Sequence, residues 1–333
     1  MNRGASHQRL YHNLILISNS LYDVSVPILA TDLQRLCVIL PSWVGDCVMA
    51  TPALRALHAH CPKARITLTC RPGLDGLLAG LPFAREFITT SMSSFRGPFR
   101  LASVIRAKNP QAVILMPNSL RSAFAARLTR SPIRAGYDRD SRRFLLTHPI
   151  PLPTPSRTHP IPAIDYYLNL ISMLTDVRTT DRTMSLTVSP SEMQSVQPLI
   201  ASIPRPFIVL CPGGNKLQKR WPARNFAQLA DALLQASSAK SIAIIGSPSE
   251  SPIAQEIISA VNPNHSSSVV NLIGKTRSLS DLKPILQSAS LLVTNDTGPR
   301  HIALALSTPV VTLFGPTDHR WTTTYSPRER IIL

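Results

Sequence analysis

The sequence is short of acidic and aromatic residues. Asp and Glu number 18 against 35 Lys and Arg, a net charge of +17 over 333 residues. An excess of this sign favours anionic partners: phosphates, nucleic acid or a negatively charged membrane surface. The cations are scattered rather than gathered in a basic tail. Aromatics are only 5%, too few for base-stacking platforms, so nucleic acid is not an expected partner. The five cysteines, Cys37, Cys47, Cys61, Cys70 and Cys211, form no CxxC pair. That argues against a zinc ribbon or a disulfide framework and for buried, reduced thiols in a cytoplasmic protein. No apolar run reaches the 18 residues of a membrane span. Neither GxGxxG nor GxxxxGK[ST] occurs, which argues against a dinucleotide-dependent oxidoreductase and a P-loop enzyme. The histidines show no metal-ligand pairing, and no DxD-type acidic pair is expected at a strand end. No metal site is therefore expected.

What is present is alternation. From Arg35 onward, short apolar runs alternate with amphipathic helical stretches, the pattern of an α/β fold with parallel sheets. Strands are expected at Leu36–Leu40, Ile66–Cys70, Ala112–Met116 and Ile133–Tyr137 in the first half. In the second half they are expected at Phe207–Leu210, Ser241–Ile245, Val269–Leu272, Leu291–Val293 and Val310–Phe314. Cys47–His60 reads as one helix. Six prolines between Pro149 and Pro162 suggest a stiff connector between two Rossmann-like domains, 35–160 and 161–333. Residues 1–34 break the pattern and read as a loosely ordered extension rather than a signal peptide.

Two such domains face a cleft at the C-terminal ends of their strands, where ligands of open α/β sheets bind. The polar turns at those ends hold the candidate residues. Gly45-Asp46 follows the first strand. Asp46 can act as a general base or simply cap the next helix. Gly213-Gly214 follows the first strand of the second half and lets backbone N–H groups approach a phosphate. Lys216, Lys219 and Arg220 lie just beyond it, where a lysine can serve a diphosphate as a point charge or the three can form a solvated basic loop. Thr294–Gly298 ends a buried strand, and Pro299 is suited to open a helix whose N–H groups and dipole favour an anion. His301 sits one turn further on, either near the phosphates or packed in the core. Gly246-Ser247 and Asn271–Gly274 end neighbouring strands, where a nucleoside can lie.

Five blocks in order, LPSWVGDCVMATPALRAL (40–57), CPGGNKLQKRWP (211–222), IIGSPSE (244–250), NLIGKTRSL (271–279) and VTNDTGPRHIALAL…PVVTLFGPT (293–317), resemble the lipopolysaccharide heptosyltransferase family. PSWVGD with KRWP is most similar to its heptosyltransferase II branch. The resemblance implies a GT-B fold. It implies an inverting, metal-independent transfer of heptose from ADP-heptose to an inner-core lipopolysaccharide or related anionic glycolipid. The alternatives are a GT-B transferase for another nucleotide sugar, or an impaired nucleotide-binding homologue. Asp46 would be the general base, with Trp43 and Gly45 beside the acceptor. Gly213, Gly214, Lys219, Ser247, Glu250, Gly274, Thr276, Asp296, Thr297, Gly298 and His301 would hold the donor. A cytoplasmic enzyme in peripheral contact with the inner membrane surface is implied. Two departures stand out: Arg300 replaces the family's usual apolar residue or Ser, and the family's terminal crossover helix has no counterpart before Leu333.

Overall fold

The computed structural model describes residues 27–154 and 160–333. The apolar runs of the first half become parallel strands β1 (Arg35–Ile39), β2 (Arg65–Cys70), β3 (Glu86–Thr89), β4 (Ala112–Leu115), β5 (Ile133–Tyr137) and β6 (His148–Ile150). Between them run helices α1 (Val44–Met49), α2 (Thr51–His60), α3 (Leu74–Leu78), α4 (Gly97–Ala107) and α5 (Leu120–Thr129). Two helices, α6 (Ala163–Thr175) and α7 (Pro190–Ala201), precede the second sheet. Its strands are β7 (Phe207–Cys211), β8 (Ser241–Ile244), β9 (Val269–Asn271), β10 (Leu291–Asn295), β11 (Val310–Leu313) and β12 (Glu329–Ile332). Helices α8 (Ala223–Gln235), α9 (Ser251–Ala260), α10 (Leu279–Ser288) and α11 (Gly298–Ala305) connect them.

The sheet orders are β3-β2-β1-β4-β5-β6 and β9-β8-β7-β10-β11-β12, the same Rossmann order twice. The direction of winding reverses between β1 and β4 and again between β7 and β10. A crevice for ligands opens at such points, outside the carboxyl ends of the strands. β4 and β7 are buried along their whole length, as parallel strands covered on both faces must be. The main buried cluster runs unbroken from Leu36 and Leu54 in the first half to Phe207 and Ile302 in the second. All five cysteines are free and buried.

Several elements differ from expectation. The Cys47–His60 helix is two helices, because Pro52 has no N–H to donate to the Val48 carbonyl. The Thr51 hydroxyl takes that carbonyl instead, at 2.7 Å, and the chain turns at Ala50. The proline-rich stretch begins with a strand: β6 pairs in parallel with β5, Gly136 opposite Pro149. Proline is tolerated there because β6 is an edge strand. Pro155 lies outside the described residues. Helix α6, grouped with the second half from sequence, packs on α1, α2 and β5. The chain then runs between the halves near residues 181–186. There Arg55 holds Asp181 at 2.8 Å, and the Leu186 N–H donates to the Ala305 carbonyl.

The expected extension 1–34 needs a similar correction. Residues 1–26 lie outside the described residues, but Leu29 is fully buried. Its N–H donates to the Leu174 carbonyl at 2.9 Å, and its carbonyl meets His60 Nε2 at 2.8 Å. Leu29 thus ties α6 to the end of α2. Leu29→Ala is expected to cost about 2–5 kcal/mol in chemical denaturation, the range for a buried leucine. A change below about 0.5 kcal/mol, typical of a surface position, would show that this segment is not part of the folded unit.

Candidate active site

The first turn of α1 follows β1 directly. Its N-cap is Trp43, with no side-chain capping bond, so Asp46 sits in the first turn and does not cap the helix. Trp43 is 62% exposed. The Asp46 carboxyl is largely buried, and burial alone pushes its pKa above the ordinary carboxylate value. A carboxylate in this state is a better proton acceptor than a solvated one.

The corresponding turn of the second half follows β10. Thr297 is the N-cap of α11, in extended conformation and without a side-chain cap bond. The N–H groups of the first turn are therefore open to an anion, with Pro299 having none to offer. These two turns meet. A Cβ on Gly45 would come 2.8 Å from Cδ2 of His301, and one on Gly298 would come 3.0 Å from Val44. Glycine at 45 and 298 lets α1 and α11 pack start against start. The sequence assigned Gly45-Asp46 and Gly298–His301 to opposite walls of a cleft, and the structure brings them together.

His301 is buried, and burial, followed by the charges of Arg300 and Lys219, pushes its pKa well below the ordinary value. It is neutral at pH 7. Its Nδ1 has no hydrogen-bond partner among the described residues.

Lys219 ends a short 3-10 turn, Leu217–Lys219. Its Nζ lies 2.7 Å from Asp296 Oδ2. Asp296 Oδ1 in turn accepts from Arg300 Nη1 at 3.1 Å. Arg300 is fully buried. It grips Glu329 of β12 through two bonds, Nε–Oε1 at 2.6 Å and Nη2–Oε2 at 3.1 Å. It also donates to the Thr322 hydroxyl and carbonyl. Thr312 and Thr324 complete the shell of Glu329 at 2.5 and 2.6 Å. Lys219, Asp296, Arg300 and Glu329 thus form one chain of alternating charge from the cleft to the edge strand.

One expectation fails in detail. The Gly214 N–H, expected to face a phosphate, donates to Glu250 Oε1 at 2.8 Å. Glu250 Oε2 accepts from the Ser247 N–H at 2.7 Å and its hydroxyl at 2.9 Å. Glu250 therefore cross-links the turns after β7 and β8. A Cβ on Gly213 would fall 2.0 Å from Glu250 Oε1, so glycine is required there to admit the carboxylate. Asn295 is a site residue that sequence did not single out. Its buried amide donates to the Pro212 and Gly213 carbonyls and accepts the Trp221 N–H. The signal was present, a polar residue closing an apolar strand, but its partners lie more than 70 positions away. Gly274 has φ +77 with open space around it, and Thr276 is half-buried just beyond. Both lie on the loop after β9, beside the Ser247 turn.

An acidic pair does occur at a strand end. Asp138 and Asp140 follow β5, but Asp138 pairs with Arg143 at 2.7 Å and Asp140 with Arg139 at 3.5 Å. No group of three or more His, Cys, Asp or Glu is placed to hold a metal among the described residues. No described helix is long and apolar enough to cross a membrane.

Residues 98–333 match the sequence model of glycosyltransferase family 9 (heptosyltransferase). The chain is 30% identical to lipooligosaccharide heptosyltransferase 2 of Haemophilus influenzae, over 90% of this chain and 88% of that one. It is 31% identical to the protein of the same name from Haemophilus ducreyi, with the same coverage. Its fold is similar to the solved structure of E. coli ADP-heptose LPS heptosyltransferase II, with TM-score 0.78, 27% identity and 90% of each chain covered.

Proposed function

The chain belongs to glycosyltransferase family 9, the heptosyltransferases, and we propose that it moves heptose from ADP-heptose to an inner-core lipopolysaccharide acceptor or a related anionic glycolipid. The observation that carries this is the packing of α1 on α11. It sets the turn that carries the half-buried Asp46 carboxylate beside a helix start whose N–H groups are open to phosphate.

The reaction is a single displacement. A hydroxyl oxygen of the acceptor bonds to the anomeric carbon of the donor, and the bond from that carbon to the diphosphate breaks. Asp46 takes the hydroxyl proton, and the configuration inverts. The transition state has oxocarbenium character, as in other glycosyl chemistry. Negative charge grows on the departing ADP. Lys219 and the N-terminal N–H groups of α11 face that charge, an arrangement that stabilises it without a metal. His301, neutral and with a free ring nitrogen, stands beside the phosphates. Trp43 and Gly45 form the acceptor side. The Ser247–Glu250 turn and the Gly274–Thr276 loop end adjacent strands, which suits the adenosine. The acceptor is anionic and lipid-borne, so the enzyme works at the cytoplasmic face of the inner membrane, in peripheral contact.

Lys219→Ala is the direct test of the donor side. Loss of one charge-assisted contact is worth about 1.5–3 kcal/mol, so ADP affinity should fall roughly 10- to 150-fold. Adenosine affinity should hardly change. Calorimetric titration in EDTA with both ligands decides, and Lys216→Ala serves as control because Lys216 is exposed and outside the charge chain. A larger ADP defect for Lys216→Ala, or none for either variant, would remove Lys219 from the donor site. Turnover of ADP-heptose, tested against other nucleotide sugars, identifies the donor.

A further inference from the structure

Four apolar side chains stand in solvent side by side where α4 and α5 begin. Phe95 is 86% exposed, Phe99 47%, Leu120 48% and Phe124 37%. Phe99 lies 6.3 Å from Phe95 and meets Phe124 edge-on at 5.5 Å, ring centre to ring centre. Three aromatics therefore form one continuous ridge across two helices. Isolated exposed apolar residues need no explanation, but a joined group of this kind marks an interaction surface.

The charge around the ridge has one sign. Between residues 87 and 137 there are eight Lys and Arg and no Asp or Glu. Arg96 and Arg100 are exposed, follow Phe95 and Phe99 at the same spacing, and make no ion pair among the described residues. Arg121 sits beside Leu120, and its guanidinium donates to the Ser94 carbonyl, tying the two helix starts together. Exposed aromatics edged by unpaired arginines match the chemistry of a surface that is apolar inside and anionic outside.

The position also fits. In a parallel sheet the helix after each strand starts at the carboxyl edge. The starts of α4 and α5 therefore lie on the same edge as the turn after β1, which carries Asp46. We propose that the ridge of Phe95, Phe99, Leu120 and Phe124, with Arg96 and Arg100, docks the first half on an anionic lipid bilayer. The aromatic rings enter the boundary between headgroups and acyl chains, and the guanidinium groups meet lipid phosphates. This deepens the proposed function, on which its purpose rests: a lipid-anchored acceptor would reach Asp46 without leaving the membrane.

The test is co-sedimentation of the full chain with phosphatidylcholine vesicles, with and without phosphatidylglycerol. The protein should bind the anionic vesicles and be weakened by salt. Phe95→Ser with Phe99→Ser should lower partitioning roughly 10- to 100-fold. Arg96→Glu with Arg100→Glu should abolish the preference for anionic vesicles. Equal binding to both vesicle types by the parent, or undiminished binding by the Phe variant, overturns the proposal. So does a Phe variant that shifts from dimer to monomer in sedimentation while its vesicle binding is unchanged, because the ridge would then join two copies. ADP affinity, read on the same proteins, should be equal in all of them. A parent that binds anionic vesicles through the ridge but never binds ADP would overturn the transferase reading and leave this surface standing.

Discussion

Asp46→Asn should lower turnover about 10²–10⁴-fold, the usual worth of a positioned general base, and leave ADP affinity unchanged. The carboxylate belongs to the first half, and the open helix start and Lys219 belong to the second, so removing the base leaves the phosphate contacts in place. Asparagine keeps the volume, so the packing of Gly45 on His301 survives. The pH dependence supplies a second readout. Burial holds the Asp46 pKa above its ordinary value, so the acid limb of kcat/KM should lie above the ~3.9 of a solvated aspartate. That limb should vanish in Asp46→Asn. The same shift has a sign for stability: a carboxyl whose folded pKa is raised favours the folded state when protonated. It therefore contributes stability at low pH that is lost as pH rises through the raised value. Asp46→Asn should thus be at least as stable as the parent at neutral pH. A variant that retains turnover within roughly tenfold would fall below the range for a general base. One that loses ADP binding in proportion to rate would make Asp46 a packing residue.

Much of this arrangement was legible because the backbone physics is local. A parallel strand buried on both faces reads as an apolar run, and the glycine-containing turns after those runs mark the carboxyl edge. The positions of β1, β4, β7 and β10, and of the turns at Asp46, Gly213 and Thr297, follow from that alone. What stayed hidden depends on distance along the chain. Leu29 sits in a short apolar run, Pro27–Ala30, with no helical or strand period, so nothing nearby shows that α2 and α6 cover it. β12 is four residues, half of them charged, and is held by its pairing with β11 rather than by its own propensity. The Gly213-Gly214 turn was legible as a close-approach turn. That the approaching group is Glu250, 36 residues on, was not. Nothing near Arg300 in sequence shows that it is buried, because its partner, Glu329, lies 29 residues away.

Arg300→Met should be the most destabilising of these substitutions, by about 3–5 kcal/mol, because removing one partner of a buried ion pair strands the other. Two carboxylates lose their cation: Glu329, held by both of its oxygens, and Asp296, left with Lys219 alone. In the parent, burial pushes the Glu329 pKa up, but the Arg300 guanidinium and the hydroxyls of Thr312 and Thr324 more than offset it, for a net lowering. A carboxyl depressed on folding contributes stability above its unfolded pKa, about 4.3, which is lost as pH falls through the folded value. In Arg300→Met the shift reverses, since burial remains and the cation is gone. The stability gap between parent and variant should therefore be widest near neutral pH and narrow as pH falls and Glu329 takes up a proton. Arg300→Met combined with Glu329→Gln should recover much of the loss, because the stranded charge is then absent. Denaturant titrations of the three proteins across pH test both statements. A gap independent of pH would place the cost in packing on Phe314, over whose ring the guanidinium lies at 5.0 Å. Arg300 also orients Asp296 and through it Lys219, so ADP affinity should fall in the single variant, and the double variant should not restore it. Recovered stability with unrecovered ADP binding is the signature of a residue that positions the phosphate clamp as well as anchoring the edge strand.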